Sequence, residues 1–513
     1  MCGIAGEYGG GIEPDTAERM LKRLIHRGPD GEGSIEVAGS WLGHRRLAIV
    51  DVEGGKQPLK TESGDLFFVG NGEIYNHEEV RETISDDSCF LTRSDNEVAL
   101  HLYEEKGPDA FSEMHGMYAF IIAGEDGRFV AARDPVGIKP LYWARRNGHV
   151  RFASELRTFD EDWQPDVEAF PPGHYWTPEY GLVRFANAVP HDEEDLDERF
   201  EGPSEPGAPI PEEILREVRE KLIATVEGQM MGDVPVGVFL SGGLDSNLVA
   251  AIAARWYEER GERLKTFAVG LEDSPDLKAA RAVAEYLATE HHESVYTAED
   301  ALEVLPEVVR CIENYDPSLV RSAVPNYILA GFTAEHVKVV LTGEGADEIF
   351  AGYDYLTEFE TEDDLHAELV RIIEGLHNLN LQRGDRVTMA HGLEARVPFL
   401  EREMIELGLA LPAGWKLAGE DQPEKRLLRQ AFDGWLPDDF LWRKKAQFGD
   451  GSGAASVLHE KMEESVTEEE FEREHQEVDP PLRTREEVAY YRIFAEQFGE
   501  VRPRQTLGRF ATV

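Results

Sequence analysis

The sequence has 513 residues, 41% of them hydrophobic, which is long enough for two to four domains with packed cores. Its 52 Lys and Arg against 101 Asp and Glu give a net charge of −49, which excludes nucleic acid and anionic membranes as general partners of the surface. The acidic residues are spread along the whole chain, and concentrated salt would screen their mutual repulsion. We therefore expect the salt-rich cytoplasm of a halophile.

Cysteine usage also points to the cytoplasm. The three cysteines, Cys2, Cys89 and Cys311, are too few and too widely spaced for a disulfide framework or a CxxC metal site. No stretch approaches the roughly 18 unbroken apolar residues of a membrane span, and the N-terminus lacks the pattern of a secretory signal. No membrane partner is expected.

The first 190 residues contain short apolar or alternating runs separated by Gly, Asp and Asn, which predicts strands. The runs cover residues 45–51, 65–71, 117–124, 128–133 and 149–154. Helical periodicity is found at 14–28 and 94–108. Successive strands with few helices predict antiparallel sheets with helices packed on them.

Residues 191–211 are acidic and rich in Pro and Gly, as linkers are, which predicts domains at 2–190 and 212–513. After an amphipathic helix at 212–230, predicted strands at 234–240, 265–271 and 337–343 each precede a helical run. This alternation predicts a parallel sheet with helices on both faces. Residues 355–513 read as mostly helical, and those beyond Gly453 carry no usable motif.

The segment "LSGGLDS" (240–246) lies between a predicted strand and a helix. Its glycines permit a tight turn, and its serines and the N–H groups of the helix start can bind an anion. Asp245 would repel a bare phosphate, but it suits a metal ion that bridges the carboxylate to phosphates. The segment lacks the GK[ST] of a Walker A loop. A plain glycine turn with a capping Ser or Asp is the alternative.

A second acidic turn, "LTGEGADEIFAGY" (341–353), also follows a predicted strand. Because the carboxyl ends of parallel strands meet at one edge, Asp347 could face Asp245 across one Mg²⁺ there. The alternative is an acidic loop in an acidic protein. In "WRKKAQFGDG" (442–451), Lys444 and Lys445 could reach a phosphate or be solvated surface charges.

Cys2 directly follows Met1, so removal of the methionine would give it an α-amine. That amine, with a pKa of about 8, can accept the thiol proton, which makes a nucleophile and a base in one residue. A small buried thiol is the alternative. "NGEIYN" (71–76) supplies an amide and a glycine N–H suited to an oxyanion hole, and Arg45 and Arg46 suit a carboxylate. Asp95 could accept a substrate ammonium or cap a helix.

These motifs, in this order, resemble those of a known family. "MCGIAG", "HRGPDG", "GHRRLAIVD", "NGEIYN", "SDNEV" and "RDPVGIKPLY" resemble a class II glutamine amidotransferase domain of the N-terminal-nucleophile hydrolase type. "DVPVGVFLSGGLDS", "TFAVGLEDSPDLKAARAVAEYL", "TGEGADEIFAGY", "HGLEARVPFL" and "KKAQFGDGSG" resemble the ATP-pyrophosphatase domain of glutamine-hydrolysing asparagine synthetases. The resemblance implies an α/β plus α+β chain. Such a chain would have an N-terminal antiparallel β-sandwich, a C-terminal parallel-sheet ATP-pyrophosphatase domain and a helical C-terminal part.

The resemblance also implies residue roles. In the N-terminal half, Cys2 would be the nucleophile that forms a glutamyl thioester, and Asn71 and Gly72 would form the oxyanion hole. The residues implied to bind glutamine are Arg46, Glu73 and Asp95. The implied ATP-binding residues are Leu240, Ser241, Gly242, Gly243, Asp245, Ser246, Val269 and Gly343. Asp245 and Asp347 would hold Mg²⁺, Glu344 and Lys445 would assist the reaction, and Arg321 and Arg396 would bind aspartate.

The implied activity is that of an asparagine synthase that hydrolyses glutamine. ATP would activate aspartate as β-aspartyl-AMP with release of pyrophosphate, and ammonia from glutamine would cross inside the protein and displace AMP. The expected partners are glutamine, aspartate and ATP, with a homodimer as the candidate assembly. Asn247 and Ser318 depart from the serine and threonine usual in the family. They leave a related amidotransferase or amide ligase with another carboxylate acceptor as the alternative. A non-catalytic protein would show eroded sites, whereas both sites look complete.

Overall fold

The computed structural model describes residues 2–85, 89–189, 202–419, 422–443 and 455–510. Among the described residues of the N-terminal half, three α-helices accompany twelve strands. The helices are α1 Pro14–Arg23, α2 His77–Thr83 and α3 Glu97–Lys106. The strands are β1 Cys2–Tyr8, β2 Gly31–Val37, β3 Ser40–Arg46, β4 Leu59–Lys60, β5 Leu66–Ile74, β6 Gly116–Gly124, β7 Phe129–Arg133, β8 Tyr142–Arg146, β9 His149–Ala153, β10 Val167–Ala169, β11 His174–Thr177 and β12 Gly181–Arg184.

These strands form two antiparallel six-stranded sheets, in the orders β10-β8-β9-β1-β3-β2 and β12-β11-β7-β6-β5-β4. The sheets pack face to face around a shared apolar layer that includes Ile4 and Phe152 from one sheet and Val69 and Ile121 from the other. Helix α1 covers the outer face of the first sheet, and α2 and α3 cover the outer face of the second. The predicted antiparallel sandwich with helices packed on it is confirmed.

The C-terminal half contains one five-stranded parallel sheet. Its strands are β13 Val236–Phe239, β14 Lys265–Gly270, β15 Glu290–Val295, β16 Val339–Leu341 and β17 Glu394–Arg396, in the order β15-β14-β13-β16-β17. The helices are α4 Glu212–Gly228, α5 Leu244–Glu258, α6 Pro275–Tyr286, α7 Ala298–Ile312, α8 Pro317–Ala334, α9 Ala346–Ile349, α10 Glu362–Gly375, α11 Asn380–Met389, α12 Arg402–Ala410, α13 Ala413–Lys416, α14 Arg426–Ala431, α15 Asp438–Leu441, α16 Ala455–Ser465, α17 Glu468–Glu474, α18 Arg485–Phe498 and α19 Pro503–Thr506.

Side chains alternate across this sheet, as they do along any strand. Val238 and Leu341 pack with α4 and α5 on one face. Phe267 and Val340 pack with α7, α8 and α18 on the other. The predicted parallel sheet with helices on both faces is confirmed. In this sheet the sequence pattern missed two strands: β15, whose "EHHESV" is polar, and β17, which has only three residues in a stretch that reads as helical. In the N-terminal half the five predicted runs account for fewer than half of the twelve strands, and the run at 45–51 overlaps only the end of β3.

The two halves share buried contacts. Leu47 and Ile49 of the N-terminal half belong to the apolar cluster around α4 and α5. The buried guanidinium of Arg27 pairs with Asp385 of α11 at 2.8 Å and with Glu155 at 2.9 Å. Residues 191–201 of the predicted linker lie outside the described residues, and α4 begins at Glu212. No helix in the described part of the chain is long and apolar enough to cross a membrane.

Candidate active sites

Cys2 begins strand β1, where it pairs with Arg46 of β3. Its thiol is buried, and Sγ lies 3.9 Å from the carbonyl oxygen of Leu47. Burial raises the pKa of this thiol above its ordinary value. The backbone N–H of Cys2 donates to the side-chain oxygen of Asn71 at 2.8 Å. The pairing of β1 with β3 and its packing on β5 thus bring three separate sequence motifs to one point.

Asn71 on β5 offers a hydrogen-bond donor next to Cys2, and Gly72 follows it in the same strand. Because the oxygen of Asn71 is used by Cys2, its Nδ2 group remains buried with no hydrogen-bond partner among the described residues. Gly72 has φ +137°, and a Cβ there would lie 1.9 Å from the carbonyl oxygen of Met117, so only glycine fits. A buried, unused amide donor next to a nucleophile is suited to stabilising a developing oxyanion.

The carboxylates of Glu73 and Asp95 lie in the same buried region, and burial raises the pKa of both. Asp95 accepts hydrogen bonds from the backbone N–H of Ile74 at 2.7 Å and from the side chain of Asn96. It does not cap α3, because the N-cap position is Asn96. The guanidinium of Arg46 donates to the carbonyl oxygens of Asp51 and Val52, both at 2.8 Å.

Strand β17 separates this site from a large cavity in the C-terminal half. The buried Arg396 pairs with Glu394 at 2.6 Å, and its guanidinium lies 3.9 Å from Glu73. Ala395 and Val397, which point the other way, line the cavity. Arg396, which the resemblance implied at the aspartate site, is not among the residues that line the cavity, because strand alternation directs its side chain to the N-terminal site.

The cavity has a volume of about 830 Å³ and lies at the carboxyl ends of β13, β14 and β16. Its wall includes most of the residues expected to bind ATP: Leu240, Ser241, Gly243, Asp245, Ser246, Val269 and Gly343. Gly242 belongs to the same turn but does not line the cavity; it packs against Ala279 of α6. It has φ +74°, and a Cβ there would lie 2.6 Å from the Cβ of Ala279. Such an edge of a parallel sheet is where ligands bind in this class of fold.

The turn between β13 and α5 is held by its own side chains. The Ser246 hydroxyl lies 3.2 Å from the backbone N–H of Ser241 and 2.9 Å from the Ser241 hydroxyl. The side chain of Asn247 donates to the carbonyl oxygen of Gly242 at 3.3 Å. Arg443 donates to the same oxygen at 2.9 Å. The turn is therefore preformed at the N-terminus of α5, where the helix dipole favours anions.

Asp245 and Asp347 converge on one buried cation, Lys425. Its ammonium lies 2.6 Å from Asp245 and 2.7 Å from Asp347, and its side chain is 2% exposed. The sequence analysis missed Lys425, although a lysine in "PEKRLL" is uncommon in so acidic a chain. No group of three or more His, Cys, Asp and Glu side chains arranged for a metal is found in the described ranges. Two carboxylates that share one cation would be suited to hold a divalent cation such as Mg²⁺.

One face of α8 lines another part of the cavity with Ser318, Ser322 and Asn326, spaced four residues apart. Glu344 pairs with Arg383 of α11 at 2.6 Å, and Arg383 also donates to Ser322 at 3.0 Å. Sequence reasoning missed Arg383.

Arg321 is not among the cavity-lining residues. Its guanidinium pairs with Glu486 at 2.9 Å and reaches the Ser318 hydroxyl at 3.4 Å. Lys445 lies outside the described residues.

Comparison with known proteins identifies both halves. Residues 1–180 match the family of glutamine amidotransferase domains, and residues 217–358 and 356–500 match the asparagine synthase family. The chain is 38% identical over 530 residues to a probable glutamine-hydrolysing asparagine synthetase of Dictyostelium discoideum, covering 96% of this chain and 93% of the relative. It is 38% identical over 540 residues to the corresponding probable asparagine synthetase of Schizosaccharomyces pombe, covering 98% of this chain and 94% of the relative. It is 41% identical over 475 residues to asparagine synthetase 2 of Arabidopsis thaliana, covering 88% and 79%.

Proposed function

The chain belongs to the family of glutamine-hydrolysing asparagine synthetases, and we propose that it amidates aspartate with nitrogen from glutamine at the expense of ATP. The products are asparagine, glutamate, AMP and pyrophosphate. The observation that carries this proposal is the position of β17, whose alternate side chains face the Cys2 site and the 830 Å³ cavity. Glutamine, the nitrogen donor, and aspartate, the acceptor, can thus bind on opposite sides of one strand.

In the N-terminal site, the Cys2 thiolate attacks the amide carbon of glutamine. Removal of Met1 would free the α-amine that takes the thiol proton and passes it to the departing ammonia. The buried Nδ2 of Asn71 and the N–H of Gly72 stabilise the oxyanion. Arg46, Glu73 and Asp95 bind the carboxylate and ammonium of glutamine. Water then hydrolyses the thioester and releases glutamate.

In the cavity, the turn at 241–246 binds the phosphates of ATP, and Leu240, Val269 and Gly343 line the nucleotide pocket. The β-carboxylate of aspartate attacks the α-phosphorus, and pyrophosphate leaves. Ammonia then attacks the acyl carbon and displaces AMP, and Glu344 accepts the proton that ammonia loses. Arg383 holds Glu344 in place. Lys445, in the segment next to Arg443, is proposed to stabilise phosphate charge.

Mg²⁺ would be held by Asp245 and Asp347 together with ATP. When bound it neutralises charge on the phosphates. The support is the convergence of both carboxylates on one point, where Lys425 now lies.

The overall activity is tested with aspartate, ATP, Mg²⁺ and glutamine labelled with ¹⁵N at its amide. We expect labelled asparagine, with AMP and pyrophosphate formed in equal amounts. If neither asparagine nor AMP forms, the proposal is wrong. Labelled product from another carboxylic acid, with none from aspartate, would identify a related amide ligase instead.

Three further features of the protein are part of the proposal. Residues 2–190 act as the glutaminase domain and 212–513 as the synthetase domain, joined by the linker 191–211; the matches to two separate families agree with this division. The small-molecule substrates and the sparse cysteines agree with a cytoplasmic enzyme. A homodimer is the proposed assembly, and light scattering in solution tests it.

The net charge of −49 suggests a salt-rich environment, as in a halophile. Salt at about 1 M shortens the Debye length to about 3 Å and removes most surface repulsion. Thermal melts in dilute buffer and in molar KCl test the proposal. A higher midpoint in KCl is expected, and a higher midpoint in dilute buffer would contradict it.

A further inference from the structure

The last described segment of the chain, 507–510, reaches the cavity, whose wall includes its residues Arg509 and Phe510, although no sequence motif marks them. We call this segment the C-terminal strap. The side chain of Asn314 donates to the carbonyl oxygen of Gly508 at 3.2 Å. Arg483 donates to the carbonyl oxygen of Phe510 at 2.6 Å. These bonds tie the strap to the loop before α8 and to the segment before α18.

The strap is also docked on the start of α8. The backbone N–H of Phe510 donates to Oδ2 of Asp316 at 3.1 Å. The other oxygen of Asp316, Oδ1, caps α8 by accepting from the N–H of Leu319 at 3.2 Å. Ser318, which lines the cavity, lies in the same turn. One buried carboxylate therefore holds the strap against the part of α8 that faces the cavity.

Arg509 brings a positive charge to this wall. Both Arg509 and Phe510 line the cavity. The guanidinium of Arg509 donates to the fully buried carboxylate of Glu487 and to the carbonyl oxygen of Pro481. Its Nε group is buried and has no hydrogen-bond partner in the part of the chain that the structure describes. Glu487 and Pro481 thus fix the position of the guanidinium, while its Nε–H remains available as a donor.

The residue next to Glu487 holds a second arginine. Glu486 is fully buried and accepts from Arg321 of α8 at 2.9 Å and from the hydroxyl of Tyr490 at 2.9 Å. Arg321 also reaches the hydroxyl of Ser318. The first turn of α18 therefore anchors one arginine from α8 and one from the strap, both next to the same part of the cavity.

We propose that Arg509 binds the α-carboxylate of aspartate and that the strap, held in place by the first turn of α18, forms the aspartate end of the cavity. This inference rests on the proposed function. Once the β-carboxylate is activated, the α-carboxylate is the remaining anion of the substrate, and arginine presents several donors to such a group. Lys425 and Arg383, which also line the cavity, pair with carboxylates that themselves lie in its wall. Arg509 instead pairs with Glu487, which does not line the cavity.

The test measures aspartate-dependent pyrophosphate release in the full-length chain, with ammonia as the nitrogen source. For Arg509→Gln we expect the KM for aspartate to increase about 10- to 100-fold, as loss of a charged hydrogen bond does. The KM for ATP and the rate of glutamine hydrolysis should stay unchanged. Arg509→Lys should recover part of the loss. The matched control is Arg504→Gln on α19, where an exposed arginine pairs with Asp479.

An unchanged KM for aspartate in Arg509→Gln would overturn the inference, and so would an equal increase in the KM values for aspartate and ATP. Glu487→Gln, which keeps the shape but weakens the hold on Arg509, should raise the KM for aspartate in the same direction by a smaller factor. A native chain that makes no asparagine from aspartate would contradict the proposed function, and the inference with it.

Discussion

The ammonium of Lys425 lies 2.6 Å from the carboxylate of Asp245 in the wall of the large cavity, and the same ammonium lies 2.7 Å from Asp347. Lys425 has a left-handed backbone, with φ +53°, at the residue before α14. A non-glycine residue seldom adopts this conformation unless its surroundings impose it. The ion pairs keep two like charges close together before any nucleotide binds.

Lys425→Met should therefore lower the thermal midpoint of the substrate-free protein. Breaking a fully buried ion pair costs about 3–5 kcal/mol, and the cost here should be smaller because the two carboxylates are each 20% exposed. Added Mg²⁺ should raise the midpoint of the variant more than that of the native chain, since a cation can then bind between the carboxylates. Lys338→Met, which removes an exposed pair with Asp30, is the control. Equal responses to Mg²⁺ would contradict this role of Lys425.

Cys2→Ala should abolish glutamine hydrolysis and leave ammonia-dependent asparagine formation intact. Loss of a nucleophile typically lowers the rate by about 10⁴-fold or more. The cavity on the other side of β17 contains no atom of Cys2 in its wall. Glutamate release and asparagine formation are measured separately, with Cys89→Ala, an exposed cysteine, as the control. Undiminished glutamine hydrolysis in Cys2→Ala would show that another group is the nucleophile.

Arg396→Met should destabilise the protein without changing the KM for aspartate. The substitution leaves the buried carboxylates of Glu394 and Glu73 without the cation between them, which costs about 3–5 kcal/mol of the free energy of unfolding. Urea unfolding measures this cost, and Arg402→Met, on the exposed pair with Glu406, should cost less than about 1 kcal/mol. If Arg396→Met increases the KM for aspartate in the ammonia-dependent reaction, Arg396 does take part in binding aspartate.

Glu401→Gln should change how stability depends on pH. Burial raises the pKa of Glu401 to about 7, from an ordinary value of 4.5. Between these values the native state holds a proton that the unfolded state has lost, so this group makes the native chain less stable as pH rises. As the pH rises from 4.5 to 7.5, the free energy of unfolding of the variant should therefore increase by about 2–4 kcal/mol relative to that of the native chain.

Urea unfolding at both pH values measures the gain. Glu403→Gln is the control, because the ion pair with Lys221 lowers the pKa of Glu403. A difference between Glu401→Gln and the native chain that stays constant with pH would rule out a raised pKa.

Much of this molecule could be predicted from the sequence, because its signals are local. The alternation of strands and helices after residue 212 predicted the parallel sheet, and the strand runs before 190 predicted antiparallel sheets, since apolar periodicity reflects which side of an element is buried. The turns at 240–246 and 341–353 also follow their strands as expected. The family, too, could be identified from short motifs in a fixed order.

Contacts between distant residues could not be predicted in this way. Arg396 was expected beside aspartate, but a three-residue strand carries too weak a pattern to show which face its side chains occupy. Lys425 reaches Asp245 across 180 positions of the chain, and the strap reaches Asp316 across 194. Residue types and local periodicity indicate which chemical groups the chain carries and which helices and strands carry them. Which of them share a buried site depends on how the sheets and helices pack, and that is a property of the tertiary structure.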